Sequence, residues 1–180
     1  MLKPASLRLV KSRRLNLIAT NAELLNRGVA GSERLAEALG VVAPESWPPD
    51  LYGPSAMRYA LEQLGDPTEQ CWSFWYLTTQ GDPAELVGIC GFKGRPDASG
   101  SVEIGYSVLD HFRRQGFATE AVASLVGWAF NHHNVNEVSA ETFPYLTQSI
   151  RVLEKNGFVV TGPGSEAGVV RYAVRQSSLT

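Results

Sequence analysis

Cysteine is scarce. The chain has two, Cys71 and Cys90, in 180 residues. Neither belongs to a CxxC pair, so no zinc site and no structural disulfide are expected. No stretch approaches the ~20 apolar residues of a membrane-spanning helix. The opening "MLKPASLRLVKSRR" has no apolar segment ahead of a cleavage site, and the expectation is a cytoplasmic protein with no membrane partner. A basic excess is missing too: 16 Lys and Arg stand against 18 Asp and Glu, for a net charge of −2. That argues against a nucleic-acid partner, which needs a basic face, even though "KSRR" and "RRQ" are locally basic. Internal repeats are absent. The Walker A pattern GxxxxGK[ST] and the dinucleotide pattern GxGxxG are absent as well, and "GPGSEAG" at 162–168 has the wrong spacing and no helix after it. His132 and His133 have no carboxylate or third ligand spaced for a metal, so no metal is expected.

What is present is apolar: 44% of residues are hydrophobic. A chain of this length buries about two-thirds of its unfolded surface. One domain over 1–180 is expected. Leu15 to Ala19 reads as a first strand. Asn21 caps a helix with Leu24, Leu25, Leu35, Ala38 and Leu39 on one side, broken near Gly28 and Gly31. A proline-rich loop, "VVAPESWPPDLYGP", leads to a second helix with Met57, Ala60, Leu61 and Leu64 on one stripe. Then "CWSFWYLTT", "ELVGICGF" and "SVEIGYSVL" read as three strands joined by short turns, an antiparallel meander. Afterwards the pattern becomes helix, strand, helix, hairpin. The helices are "FATEAVASLVGWAF" and "TQSIRVLEKNG", the strand is "VNEVSAETF", and "FVVTG" with "GVVRYAVR" closes the chain. The fold class is α+β with a mixed sheet, parallel where a helix crosses over.

"RRQGFATE" at 113–120 places two cations and a glycine directly before a helix start. The first helical N–H groups have no intrahelical partner, and the helix end is partly positive. Gly116 lets an anion approach the backbone, Arg113 and Arg114 add charge, and Thr119 offers a hydroxyl. The stretch reads as a pyrophosphate cradle.

Val108, Arg113, Gly116 and Ala118 in "VLDHFRRQGFATEA" match a spacing of valine, four residues, Arg or Gln, two residues, glycine, one residue, then Gly or Ala. This resembles motif A of the GNAT superfamily of N-acetyltransferases. "VEIGYSV" and "SIRVLEKNGF" resemble its RimJ/RimL branch, the ribosomal-protein N-terminal acetyltransferases. The resemblance is good over roughly residues 70 to 175. It implies a GNAT fold: a mostly antiparallel sheet of about seven strands, splayed at a cofactor slot and flanked by about four helices. It also implies acetyl-CoA as co-substrate and direct transfer to a primary amine, either a protein N-terminus or a small amine. The chain would often be a homodimer. The pyrophosphate would rest on Arg113, Arg114, Gln115, Gly116, Phe117, Ala118 and Thr119, and the pantetheine arm along the strand around Val108.

Acetyl transfer to an amine needs a neutral amine, a donor for the oxyanion and help for the departing thiolate. The resemblance puts Glu103 first as base, with Glu141 second, and a main-chain N–H near Val108 as oxyanion donor. Relatives often carry a tyrosine where Leu153 stands and an asparagine where Leu146 stands. Ser149 keeps the family serine and is the candidate donor to the sulfur. Trp47 and Tyr52, in the loop that walls the acceptor site in GNAT folds, are candidate substrate contacts. The Leu146 and Leu153 departures favour an alternative, a non-catalytic CoA-binding or sensing module.

Overall fold

The computed structural model describes residues 7–178. Eight strands form one sheet in the order β1-β2-β3-β4-β5-β6-β8-β7. They are β1 (Leu9–Lys11), β2 (Leu15–Ala19), β3 (Phe74–Thr79), β4 (Leu86–Phe92), β5 (Ser101–Val108), β6 (Glu137–Thr142), β7 (Val159–Pro163) and β8 (Val170–Arg175). Every neighbouring pair is antiparallel except β5 and β6. That exception is where α4 (Phe117–Phe130) carries the chain across the sheet, as a parallel pair requires.

β4 is buried at every position, so both of its faces are covered. Adjacent strand residues point to opposite faces, and β3 shows what each face meets. Trp75 packs on Trp128 of α4, with ring centroids 5.2 Å apart. Tyr76 packs on Trp47, centroids 6.0 Å apart, and lies over Gly28. The second layer is therefore α1 (Ala22–Ala30), α2 (Ser32–Leu39) and α3 (Pro54–Gln63), with the loop that carries Trp47. α5 (Thr147–Lys155) lies beside α4.

This is the expected GNAT fold, with two differences in count. β1 makes an eighth strand; it is three residues long and mostly exposed, too short to show a period. The first helix divides in two, giving five. The break is Gly31 alone, at φ 142°, which ends α1 and starts α2. Gly28 stays inside α1; a Cβ there would lie 2.8 Å from the Tyr76 hydroxyl, so close packing and not a helix break accounts for the glycine.

Candidate active site

β5 and β6 separate soon after they meet. They pair only from Ser101 with Glu137 to Glu103 with Ser139. β5 stays paired with β4 as far as Gly88 with Val108. Lys93 N–H donates to Glu103 O and Leu109 N–H to Val87 O. The main-chain groups of Glu103, Gly105 and Ser107 therefore face β4. By alternation along the strand, those of Ile104, Tyr106 and Val108 face the β6 side; Ile104 still lies at the end of the paired stretch, and Tyr106 and Val108 face the widening gap. The slot expected between this strand and 137–142 is present. The Val108 carbonyl is already engaged, accepting from Arg113 Nε at 3.0 Å.

The gap leads to the start of α4. Gly116 caps that helix at φ 83°, and no side chain caps it. A Cβ on Gly116 would lie 3.3 Å from Arg14 Nη2. The two expected arginines behave differently. Arg113 pairs with Asp50 and Asp110, each at 2.9 Å, so its charge is spent on tying the turn to the loop before α3. Arg114 is exposed at φ 61° and pairs with no carboxylate among the described residues. Gln115 folds back to donate to His111 O at 2.7 Å. Phe117 is buried, with the Arg14 guanidinium 4.3 Å from its ring centre. Ala118 and Thr119 are half-buried on the first turn.

A cleft of about 560 Å³ opens beside this turn, lined by Arg13, Arg14, Gln115, Gly116, Thr119 and Lys155, among others. Arg14 is its organising residue. Its Nε donates to Glu120 at 2.7 Å and its Nη1 to Gln115 O at 2.9 Å, while Ser12 Oγ donates to Glu120 at 2.7 Å. Burial alone would raise the Glu120 pKa, but the bonds from Ser12 and Arg14 and the Arg14 charge hold it below the ordinary value. The β1–β2 turn thus clamps the N-terminal end of α4. Arg13 and Lys155 are exposed and pair with no carboxylate among the described residues. Arg13, Arg14, Glu120 and Lys155 were not among the expected site residues. The sequence signal was "KSRR", which reads as a basic run until the fold brings it to the cradle.

The two candidate bases lie on one face of the sheet, because Glu103 is in register with Ser139 and Glu141 follows two residues on. Glu103 forms an ion pair with Lys93. Glu141 is engaged by Ser165, whose hydroxyl donates at 2.6 Å and whose N–H lies 3.0 Å from Oε1. Burial pushes the Glu141 pKa up, yet the Ser165 bonds and the charges of Lys93 and Arg171 leave it lowered. A carboxylate so held is a weak base.

Tyr106 points to the other face, with Val102, Ile104 and Val108. Its hydroxyl reaches α5, donating to Ser149 O at 3.0 Å and lying 3.1 Å from Ser149 Oγ. Ser149 Oγ therefore bonds across the slot instead of capping its own helix, whose start at Leu146 has no side-chain cap. Leu153 is fully buried and brings no polar group. Tyr106 was read only as a strand aromatic. Trp47 and Tyr52 are both buried. Tyr52 packs edge-on to Phe74 at 4.9 Å, and burial pushes its phenol pKa well up. The Tyr52 hydroxyl lies against β5, where a Cβ on Gly105 would come within 3.2 Å of it.

The GNAT acetyltransferase domain family matches residues 30–159. The uncharacterized N-acetyltransferase YjdG of Bacillus subtilis (strain 168) is 28% identical over 159 residues, 88% of this chain and 94% of its own length. Among solved structures, a GNAT-family acetyltransferase from Bacillus anthracis superposes with a TM-score of 0.63 at 17% identity, over 94% of this chain and 99% of its own. The ribosomal alpha-N-protein acetyltransferase RimL, in complex with coenzyme A, gives 0.65 at 16% identity, over 93% and 98%. The open strand edge, the uncapped helix start and the family match lead to one conclusion: the chain belongs to the GNAT family of acetyltransferases.

Proposed function

We propose that the chain is one catalytic domain that moves the acetyl group of acetyl-CoA directly to a primary amine. The acceptor is a protein N-terminus or a small amine, in the manner of the RimJ/RimL branch that "SIRVLEKNGF" resembles. The observation that carries this reading is the unpaired edge of β5 running into the uncapped start of α4. A pantetheine arm has two amides that can satisfy strand main-chain groups. A pyrophosphate suits free helix N–H groups and the surplus cations Arg114, Arg13 and Lys155. No metal is needed in this chemistry.

The two faces of β5 then divide the work. Glu103 takes the amine proton, directly or through a water, on one face. The edge N–H groups of Tyr106 and Val108 lie in the plane between and meet the oxyanion; one such donor is worth ~3 kcal/mol in the transition state. Ser149 waits on the other face for the departing sulfur. No nucleophilic side chain is required.

Calorimetry with acetyl-CoA, followed by thiol release over a panel of amines and N-terminal peptides, tests the proposal. Micromolar binding with turnover on at least one amine is expected. Binding without turnover on any amine favours the non-catalytic CoA-sensing module. No binding at millimolar acetyl-CoA overturns both.

A further inference from the structure

We infer that Tyr106 is a catalytic residue: its hydroxyl, together with that of Ser149, receives the departing thiolate on the α5 side of the slot between β5 and β6. This inference rests on the acetyl-transfer reading above and adds a group to it.

Three observations carry it. The Tyr106 main chain lies on the open edge of β5, beyond the last residue paired with β6. An arm lying along that edge brings its end beside the tyrosine. The Tyr106 hydroxyl already spans the slot to reach Ser149 Oγ at 3.1 Å and Ser149 O at 3.0 Å. Two hydroxyls converging within one slot form a donor pair that can be re-aimed at an arriving anion. Leu153, one turn further along α5, is apolar and fully buried, so it adds no donor beside the hydroxyl pair.

At rest the half-buried phenol needs an acceptor, because a hydroxyl shielded from water without one is costly. The Ser149 carbonyl fills that need. A thiolate is a better acceptor than a carbonyl, since a bond to a charged partner is shorter and about twice as strong. As the carbon–sulfur bond breaks, its electron pair goes to sulfur and the acetyl carbon stays bonded to nitrogen. The amine proton leaves on the Glu103 face. The Tyr106 O–H then turns from the carbonyl to the sulfur. Burial raises the Tyr106 pKa far above its ordinary value. The phenol therefore keeps its proton and acts as a hydrogen-bond donor, and the thiolate takes its proton from water as it leaves.

The test reads the bound thiol itself and needs no acceptor. Coenzyme A is bound to the whole chain and its thiolate absorbance is followed against pH. A donor pair that favours the anion lowers the bound thiol pKa by about one unit or more relative to free coenzyme A. Tyr106→Phe should remove most of that shift and change the dissociation constant at pH 6 by less than about threefold. On a reactive amine it should lower kcat by about tenfold or more. Should Tyr106→Phe not fold, Ser149→Ala tests the same pair and should halve the shift or better. A wild-type bound thiol that titrates like free coenzyme A, or a variant that keeps the full shift, overturns the inference. Failure of coenzyme A to bind at all instead overturns the cofactor reading beneath it.

Discussion

The two edges of β5 have the same sequence behind them and opposite surroundings. Toward β4 the ladder continues to Val108, and each main-chain group there has a strand partner. Toward β6 the pairing stops at Glu103, and beyond it the main-chain groups of Tyr106 and the Val108 N–H open onto a slot. Unpaired edges are a liability in folded proteins because they invite pairing with another chain. A main-chain edge left open inside a sheet, ending at an uncapped helix, is therefore best understood as a site kept for a strand-like ligand. The closed edge holds the fold together, and the open edge is available for chemistry.

The largest expected effect breaks the open side at its phosphate end. Gly116→Asp puts a side chain within reach of Arg14 and a negative charge at the cradle, at a φ of 83° that a side chain tolerates poorly. Acetyl-CoA binding should weaken by ~3 kcal/mol or more, about 150-fold, by calorimetry. An unchanged constant would move the phosphates elsewhere.

Glu103→Gln comes next. It should lower kcat about 100-fold and leave acetyl-CoA affinity nearly intact. Glu141→Gln should cost far less rate, because Ser165 already occupies that carboxylate. Equal losses in the two variants would remove Glu103 from its place as base.

A smaller effect separates paired from unpaired cations at the cleft. Arg13→Ala and Lys155→Ala should each weaken acetyl-CoA binding about three- to tenfold, and less as salt is raised. Salt-independent losses would point to packing instead of charge.

The smallest concerns the clamp behind the cradle. The Glu120 pKa is lowered in the folded chain, so its contribution is complete above the ordinary glutamate value of about 4.3 and fades as pH falls below it. Glu120→Gln should lower the melting temperature near pH 7 and flatten its fall between about pH 5 and pH 3. A variant that falls as steeply as the wild type would contradict this.

The legible parts of the molecule were those whose signal is local. β2 through β5 and α4 announce themselves by period and by the glycine before a helix start. Val108 and Gly116 sit at motif spacing, and the stop of β5 at a slot followed from the motif. What was not legible depends on distant partners. Arg14 and Glu120 meet across 106 positions of sequence. The use of Arg113 on Asp50 spans 63. Gly28 resembled a helix break because the Tyr76 hydroxyl that requires it lies on another element. The Tyr106 contact with Ser149 spans 43 positions and gives no period and no motif, only an aromatic in a strand.

The contrast between the edges of β5 is tested most directly by amide hydrogen exchange, residue by residue, with and without coenzyme A. The Gly105, Ser107 and Leu109 amides, bonded toward β4, should exchange slowly in both states. The Tyr106 and Val108 amides should exchange faster in the free protein and slow by at least about tenfold when coenzyme A is bound. Slow exchange at all five positions in the free protein, or no added protection at Tyr106 and Val108 on binding, would contradict the claim that the open edge of β5 is the ligand's partner strand.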